Sequence, residues 1–565
     1  MAFRKIEDAL WVAPQLTETD IAAAAAEGFG TIICNRPDGE EASQPSAAQI
    51  AARAATFGLG FVHIPIVPGK FTDDAITRMR SALAEQKGPI LAYCRTGTRS
   101  ATLWALSQAG HADPETLIGK AREAGYDLSA LAPRLGPATP PAPAVLREEQ
   151  SGKTFDVVIV GGGSAGIATA ASLLKRKPDL AIAVVEPTED HFYQPGWTLV
   201  GAGVFQQQVT RRPMASVMPK DVTWIKKAAS GFAPESNEVI LEGGSTLRYR
   251  VLVAAPGIKL NWEAIKGLPE TLGRNNVTSN YRFDLAPYTY RTVQSLQSGR
   301  ALFTQPPMPI KCAGAPQKAL YLSCDQWREK GRLGQMQVEF HNAGAVLFGV
   351  AAYVPALMDY IRKYGIDLKF DSKLVAVDGA AKVATFEQKG ADGTVKQVQR
   401  EFDMLHAVPP QCAPDFVRSS PLAAASGYVE VDQGTLQHPR YPNVFGVGDG
   451  CSTANAKTAA AARAQAPVAA INVLAVLQGK PPAVAYDGYG SCPLTVERGR
   501  IVLAEFGYGG KLQPTFPKFV LDGTRPTRLA WFLKDRILPW IYWEGMLKGR
   551  EWLATPHKVG AQSRA

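Results

Sequence analysis

Three stretches of the chain combine residue types at spacings that do chemistry. In the first, a short apolar run ending at Tyr93 turns into Cys94-Arg95-Thr96-Gly97-Thr98-Arg99-Ser100 and continues as the helical stretch ATLWALSQ. A turn of this kind aims successive backbone N–H groups at an anion, and the helix N-terminus behind it favours a thiolate on Cys94. Arg99, after four intervening residues, would hold an anionic group beside that sulfur. In the second, the strand DVVIV opens into Gly161-Gly162-Gly163-Ser164-Ala165-Gly166 and then IATAASLLKR. The spacing G-x-G-x-x-G lets the backbone turn tightly, approach a pyrophosphate and point a helix N-terminus at it. Glycines also occur where helix and strand merely pack. Here Gly161, Gly163, Ser164, Ala165 and Gly166 lie between strand and helix, and Glu186 ends the next strand, placed for a ribose hydroxyl. Dinucleotide binding follows. In the third, residues 525–553 interleave Trp531, Trp540, Trp543 and Trp552 with Arg525, Arg528, Lys534, Arg536, Lys548 and Arg550, broken by Pro539. Indole rings with basic neighbours suit a segment lying in a membrane interface, and a dimer-forming helix pair is the other use of the pattern.

The elements that must position these groups divide the chain. Residues 1–130 carry apolar runs at 31–34, 61–66 and 90–93 separated by Ala-rich helical stretches, which predicts a small α/β domain. Residues 131–152 are crowded with Pro and Ala and predict a semi-extended linker. Residues 153–520 predict a larger α/β body. Its dinucleotide-binding part comprises 153–265 and 430–520, with a second Rossmann-like part at 266–429 and a tail at 521–565. With 46% hydrophobic and 20% charged residues, the composition is that of a globular protein. Seven cysteines are too few for a disulfide scaffold, so each is a reactive or buried thiol. No signal-peptide run opens the sequence and no stretch reaches the ~20 apolar residues of a membrane span. The net charge of +10 has the sign for nucleic acid, but no nucleic-acid motif accompanies it; an anionic membrane surface accounts for it as well.

Further segments name the dinucleotide. YRVLVAAPG at 249–257, ending in Gly257, resembles the return strand of two-dinucleotide flavoproteins. NVFGVGD at 443–449 resembles their ribityl-binding segment, with Asp449 as the ligand. Lys457 and Thr458 open a helix, TAAAARAQ, whose N-terminus would face a flavin and stabilise its reduced anion. FAD is the expected cofactor. Where such proteins keep a second glycine loop for NAD(P)H, this chain has His341-Asn342-Ala343-Gly344-Ala345-Val346-Leu347-Phe348-Gly349. Its glycines are five apart with bulky residues between, so no nicotinamide site is expected. That weighs against a type II NADH:quinone dehydrogenase, the nearest rival enzyme. A flavin-bearing scaffold or sensor is the non-enzymatic rival.

The segments HFYQPGWTLV (191–200), PIKCAGAPQK (309–318), MLHAVPPQCAPD (404–415), KTAAAA (457–462) and YDGYGSCPL (486–494) resemble sulfide:quinone oxidoreductases, including the mitochondrial type, over about residues 153–553. The resemblance implies FAD, with Gln194 among the residues that hold it. It implies sulfide and a membrane quinone as substrates, and a sulfur acceptor such as glutathione or sulfite. It also implies a peripheral place on the cytoplasmic (inner) membrane and allows a homo-oligomer. It maps the sulfur-carrying pair onto Cys312, on the flavin side, and Cys492, which accepts sulfide, with Lys311 available to hold a thiolate. Cys451 is expected to be a buried thiol, Cys324 and Cys412 structural, and Phe506 and Tyr508 to line a quinone entry. The front segment (GFGTIICNRPDGEE, then FVHIPI) resembles the dual-specificity-phosphatase-like family, with a loop as short as a rhodanese's. A sulfurtransferase built on Cys94 and Arg99 is favoured. A phosphatase using Asp38 as general acid and an inactive interaction module remain the alternatives.

Overall fold

In a computed structural model of the chain, residues 3–85, 88–109, 112, 114–135, 153–390, 392–454 and 456–559 are described. Two compact units divide them, one within Met1–Pro141 and one within Ala142–Ala565.

The first unit is built on a five-stranded sheet in the order Arg4–Glu7, Leu10–Ala13, Ile90–Tyr93, Thr31–Cys34, Gly60–His63; only the first pair is antiparallel. The runs at 31–34 and 90–93 are central strands with every residue buried, as a parallel sheet covered on both faces requires. The run at 61–66 forms only the half-buried edge strand Gly60–His63. Helices Glu18–Ala26 and Ala47–Thr56 begin at capping boxes, Thr17 with Asp20 and Ser46 with Gln49. The chain stays helical through Ala132–Leu135, and Leu135 is buried with Trp104 and Tyr126. The start of the expected linker is therefore attached to this unit's core, into which Leu135 reaches while Leu131 packs against it. Residues 136–152 lie outside the described residues.

The second unit is α/β as expected. Its main sheet runs Val222–Ile225, Ile182–Val185, Thr154–Val160, Thr246–Ala254, Glu238–Leu241, Ala229–Ala233, with Val444–Gly446 added in parallel to Thr246–Ala254. A second, all-parallel sheet comprises Val277–Thr278, Met404–His406, Gly299–Gln305, Met336–Asn342 and Asp367–Lys369. The hairpin Gly490–Glu497/Arg500–Phe506 packs through Leu494, Val502 and Ala504 into the same core as helix Ala315–Glu329. Helix Ala459–Leu477 is long and apolar enough to cross a membrane, but it packs into the same core as helix Ser164–Arg176. It is a core helix.

The tail departs from its sequence pattern. Residues 528–548 form a broken helix with two wide, π-type turns. Its inner face buries Tyr542, Trp543, Met546 and Leu547 among Ile159, Ala170 and Val253. Trp543, one of the four interleaved tryptophans, is thus in the core, with the Arg212 guanidinium 4.3 Å from its ring centre. Trp540 stays half exposed and stacks on Trp552 at 4.6 Å. Periodicity could not show this, because Pro539 and the π-type turns break the 3.6-residue repeat. The four buried side chains contribute ~1.5–3 kcal/mol each, comparable with the ~5–15 kcal/mol net stability of a whole domain. Truncation after Thr524 is therefore expected to abolish flavin retention and cooperative melting of this unit. A truncated protein that melts cooperatively with flavin bound would show that the tail is dispensable.

Candidate functional site

A cavity of about 470 Å³ runs through the second unit. At one end lies the glycine loop. Gly161 adopts φ +108°, and a Cβ there would lie 2.2 Å from the Ala255 carbonyl oxygen; one on Gly166 would lie 1.9 Å from that of Gly161. Gly163 faces open space, leaving its backbone accessible to a ligand. The Gly162 N–H donates to Glu186 Oε2 at 2.8 Å, and the other Glu186 oxygen accepts from Thr188. His191 fastens the loop from the side, with Nδ1 at 3.2 Å from the Gly162 carbonyl and Nε2 at 2.7 Å from the Tyr542 hydroxyl. Burial lowers its pKa to about 4, so the ring is neutral. The Tyr542 hydroxyl also meets Ser164 Oγ at 2.7 Å.

The remaining expected cofactor residues line the same cavity: Ser164, Ala165, Gln194, Gly257, Asp449, Lys457 and Thr458. Thr458 caps helix Ala459–Leu477, its Oγ1 accepting the Ala461 N–H at 3.1 Å. Burial raises the Asp449 pKa, against the charges of Lys311 and Lys457. Four buried polar atoms on the lining, Gln194 Oε1, Trp197 Nε1, Thr198 Oγ1 and Asn280 Oδ1, have no partner within the protein. Such atoms call for a polar ligand, and the lining fits FAD. At the position of the second glycine loop, in the second sheet, the loop's polar groups bond within it and its bulky side chains turn inward. Asn342 bridges its own loop to Val346 O and Gly344 N, Leu347 and Phe348 are buried, and His341 pairs with Ser372 and Glu339.

Cys312 lines the cavity, and its sulfur lies 3.5 Å from that of Cys492, 180 residues away in sequence and buried behind it. Cys312 has φ +49°, a left-handed conformation that a cysteine adopts only under external constraint. The constraint is visible: its N–H donates to Lys457 O at 2.8 Å, its carbonyl accepts from Ala315 N at 2.7 Å, and the Tyr281 hydroxyl caps Lys311 O and Cys312 O. Gly314 is compelled, since a Cβ there would lie 2.6 Å from Cys492 Sγ. Lys318, one helical turn beyond, donates to Cys312 Sγ at 3.2 Å and is itself buried. Lys534, from the tail, also faces the sulfurs and donates to Pro195 O at 2.8 Å; burial and the charge of Lys318 lower its pKa to about 7. The hydrogen bond from the Cys492 thiol, with the charges of Lys318 and Lys534, holds the Cys312 thiol well below its ordinary range against the effect of burial; Cys492 is raised correspondingly. One thiolate and one thiol result.

The sequence points to one of the lysines around Cys312. Lys311 interacts by charge with Asp449 and then with Cys312, its ammonium 6.0 Å from the centre of the Trp197 ring, while Lys318 donates to the sulfur and Lys534 faces it. The i,i+4 register from Gly314 into helix Ala315–Glu329 was the available signal for Lys318; nothing local marked Lys534. Phe506 and Tyr508 also miss the cavity. Phe506 packs against Phe348, and the Tyr508 hydroxyl donates to Gln433 O; Phe516, Leu533, Ile537, Leu538 and Ile541 supply the apolar lining instead. Cys451 is buried, its thiol donating to Gly448 O.

In the first unit Cys94 is fully buried at the end of its strand, and the Gly97 N–H donates to its sulfur at 3.2 Å. Gly97 has φ +90° beneath the Tyr126 ring and opens helix Thr98–Gln108. Arg99 makes a two-pronged contact with Glu40, at 2.6 and 2.8 Å, and donates to Ile66 O at 2.7 Å. Arg36 adds bonds to Glu40 and Glu41, and the Arg99 contact above all holds the Glu40 carboxyl at about 2. Asp38, expected as a general acid, is taken up by the start of helix Ala47–Thr56, accepting the Ala47 N–H at 2.7 Å.

Residues 2–111 match the family of the beta-lactamase hydrolase-like protein phosphatase-like domain, and residues 156–401 match the FAD dependent oxidoreductase family. The mitochondrial sulfide:quinone oxidoreductase of Dictyostelium discoideum is 41% identical over 70% of this chain and 86% of its own length. That of Mus musculus is 38% identical over 70% and 87%. The solved sulfide:quinone oxidoreductase of Aquifex aeolicus shares the fold, with a TM-score of 0.56 at 22% identity over 69% of this chain and 91% of that one. Fold and site together define an FAD-dependent oxidoreductase of the two-dinucleotide-domain plan. Within that class the chain belongs to the sulfide:quinone oxidoreductase family, with a phosphatase-like domain in front; it takes FAD, oxidises sulfide and reduces quinone.

Replacing Lys318 with Gln removes the charge nearest Cys312 and lets its pKa rise. The acid limb of the pH–rate profile for sulfide-driven flavin reduction should then move to higher pH by about 1–3 units. A limb in its wild-type position would show that Lys318 does not set the charge on this sulfur.

Proposed function

We propose that Cys312 and Cys492 perform the sulfide half of the reaction and that Cys94 receives the sulfur product. The observation that carries the first part is the 3.5 Å pair with Lys318 at 3.2 Å from one sulfur. A disulfide of ~2.05 Å is shorter than this gap, so a directly bonded pair closes by a small shift and an inserted sulfur atom fits with little movement. Sulfide attacks the bridge at Cys492. A new S–S bond makes Cys492 a persulfide, the bridge bond breaks, and its electron pair stays on Cys312 as a thiolate held by Lys318. FAD, when bound, supplies the two-electron acceptor between this thiolate and quinone. An acceptor such as glutathione or sulfite then takes the outer sulfur, and Cys492 is free to close on Cys312 again. Gly161, Gly163, Ser164, Ala165, Gly166, Glu186, Gln194, Gly257, Asp449, Lys457 and Thr458 are the residues proposed to hold FAD. Exposed Leu529, Phe532 and Trp540, beside the cavity-lining Leu533, Ile537 and Leu538, support contact with a membrane surface, where quinone resides. The membrane we propose is the cytoplasmic (inner) one; the relatives named above are mitochondrial.

Sulfide should bleach the flavin within a turnover, and NADH should not. Cys312→Ser and Cys492→Ser should each retain FAD and lose the bleaching, whereas Cys451→Ser keeps substantial turnover. Full bleaching in Cys492→Ser with none in Cys451→Ser would move the sulfide-accepting role to Cys451.

For the front domain, the buried Cys94 with a loop amide on its sulfur supports a sulfane carrier, and the phosphatase-like family match favours phosphate-ester hydrolysis as the second reading. Cys94→Ala in the full chain should leave flavin reduction intact and shift products towards polysulfide or acceptor persulfide, read by mass spectrometry at equal sulfide consumed. Identical products, with aryl-phosphate hydrolysis by the wild type alone, would establish the phosphatase.

A further inference from the structure

A second cavity, of about 260 Å³, lies beside the first and is walled by Asp487, Gln513, Tyr486, His557, Tyr489 and Thr515. His557 is exposed at its rim and pairs with Asp487 at 3.3 Å, to which Gln513 also donates. Tyr489, Thr515 and Leu553 line both cavities. Two of these three shared residues carry a hydroxyl, and both hydroxyls end on the same carboxylate. Glu505 Oε1 accepts from the Tyr489 hydroxyl at 2.7 Å and from the Thr515 hydroxyl at 2.5 Å, while Oε2 accepts the Thr515 N–H at 3.1 Å. Glu505 is buried, 5% exposed, and lines the inner cavity that also holds Cys312 and Lys318. Its backbone is fixed from the far side by Tyr353, whose hydroxyl donates to Glu505 O and accepts from Glu505 N at 3.0 Å each.

A carboxylate buried among hydroxyls at the wall between an outer and an inner cavity is the arrangement of a proton relay. We propose that Glu505 delivers protons to quinone in the inner cavity and is refilled from the outer cavity through Tyr489 and Thr515. This rests on quinone being reduced in that cavity. Quinone becomes quinol by taking two electrons, which sulfide oxidation supplies, and two protons. In each of two passes the Glu505 O–H bond breaks and a quinone O–H bond forms. The carboxylate left behind takes a proton from the Tyr489 or Thr515 hydroxyl, and that hydroxyl takes one from water on the Asp487–His557 side. Burial raises the Tyr489 pKa, with Glu505 adding to the effect, so the phenol passes a proton on without resting as a phenolate. The charged and titratable groups that face Glu505 are Tyr489, Tyr353 and Arg463; Arg463 is anchored to the Trp552 and Leu553 carbonyls.

The test is stopped-flow reoxidation of the sulfide-reduced full-length enzyme, comparing wild type, Glu505→Gln and Tyr489→Phe/Thr515→Val. Flavin content and melting temperature are measured first, and Tyr489→Phe alone provides a milder variant should the double one fail to fold. A water-soluble quinone, which needs protons, is compared with ferricyanide, which does not. Reoxidation of Glu505→Gln by quinone should slow by about 100-fold, the size of a lost proton-transfer group, while reoxidation by ferricyanide keeps its wild-type rate. The solvent deuterium isotope effect on the quinone step should rise in Tyr489→Phe. Equal slowing with both oxidants would give Glu505 a structural role, and wild-type reoxidation by quinone in Glu505→Gln would end the proposal. A wild type that sulfide bleaches but quinone fails to reoxidise would instead remove the quinone reading on which the relay rests.

Discussion

The buried contact between Lys318 and Cys312 constrains everything around it. An ammonium taken out of water with no counter-charge is very costly, and Lys318 is 2% exposed. Burial works against its charge, yet the facing sulfurs of Cys312 and Cys492 keep its pKa raised. A neutral thiol at Cys312 would leave that cation without its partner, so lysine and thiolate stabilise each other. The charge distribution then follows. In the reduced pair the proton excluded from Cys312 remains on Cys492, 3.5 Å away, so the pair is polarised once the bridge between them is open.

That contact sets the surrounding backbone. Cys312 meets the lysine in a left-handed conformation, stabilised by the Lys457 carbonyl and by the start of helix Ala315–Glu329. Lys457 immediately precedes Thr458, the cap of helix Ala459–Leu477, so the sulfur pair and the cofactor end of the cavity share one anchor. Hairpin Gly490–Glu497/Arg500–Phe506 carries Cys492 and Glu505 on adjacent strands at its open end, where Ser491 pairs with Glu505 and Cys492 with Ala504. The tail closes the remaining side with Lys534 and Tyr542. Segments distant in sequence therefore meet in one cavity, and each contributes a charge or a proton-bearing group.

How much of this was legible in the sequence depended on whether the signal was local. The glycine loop, Glu186 and Thr458 act through strand–turn–helix geometry that a few neighbouring residues determine, and they line the cavity as their spacing implied. Cys312 and Cys492 were found through their motifs, since no local pattern says that residues 180 positions apart meet. Adjacency in sequence marks Lys311 but not Lys318, which reaches the Cys312 sulfur only because helix Ala315–Glu329 folds back beside it. The tail is legible only in part, for a related reason. Tryptophans beside arginines satisfy a membrane interface and a protein core equally, and only the π-type turns decide that Trp543 faces inward while Trp540 faces out. In the front domain, the Glu40–Arg99 pair had no signal beyond two adjacent acids, because the loop that carries them folds back over the Cys94 turn only in three dimensions.

The central claim is that Cys312, and not Cys492, carries the negative charge in the reduced pair. Alkylation by a small iodoacetamide, quenched over time after reduction and mapped by peptide mass spectrometry across pH 5–9, measures it directly, because only a thiolate reacts appreciably. Cys312 should be labelled first, at a rate nearly independent of pH down to the acid end of the range, with Cys492 following only at the alkaline end. Labelling of Cys492 first, or a Cys312 rate that rises tenfold per pH unit through neutrality, would contradict the account.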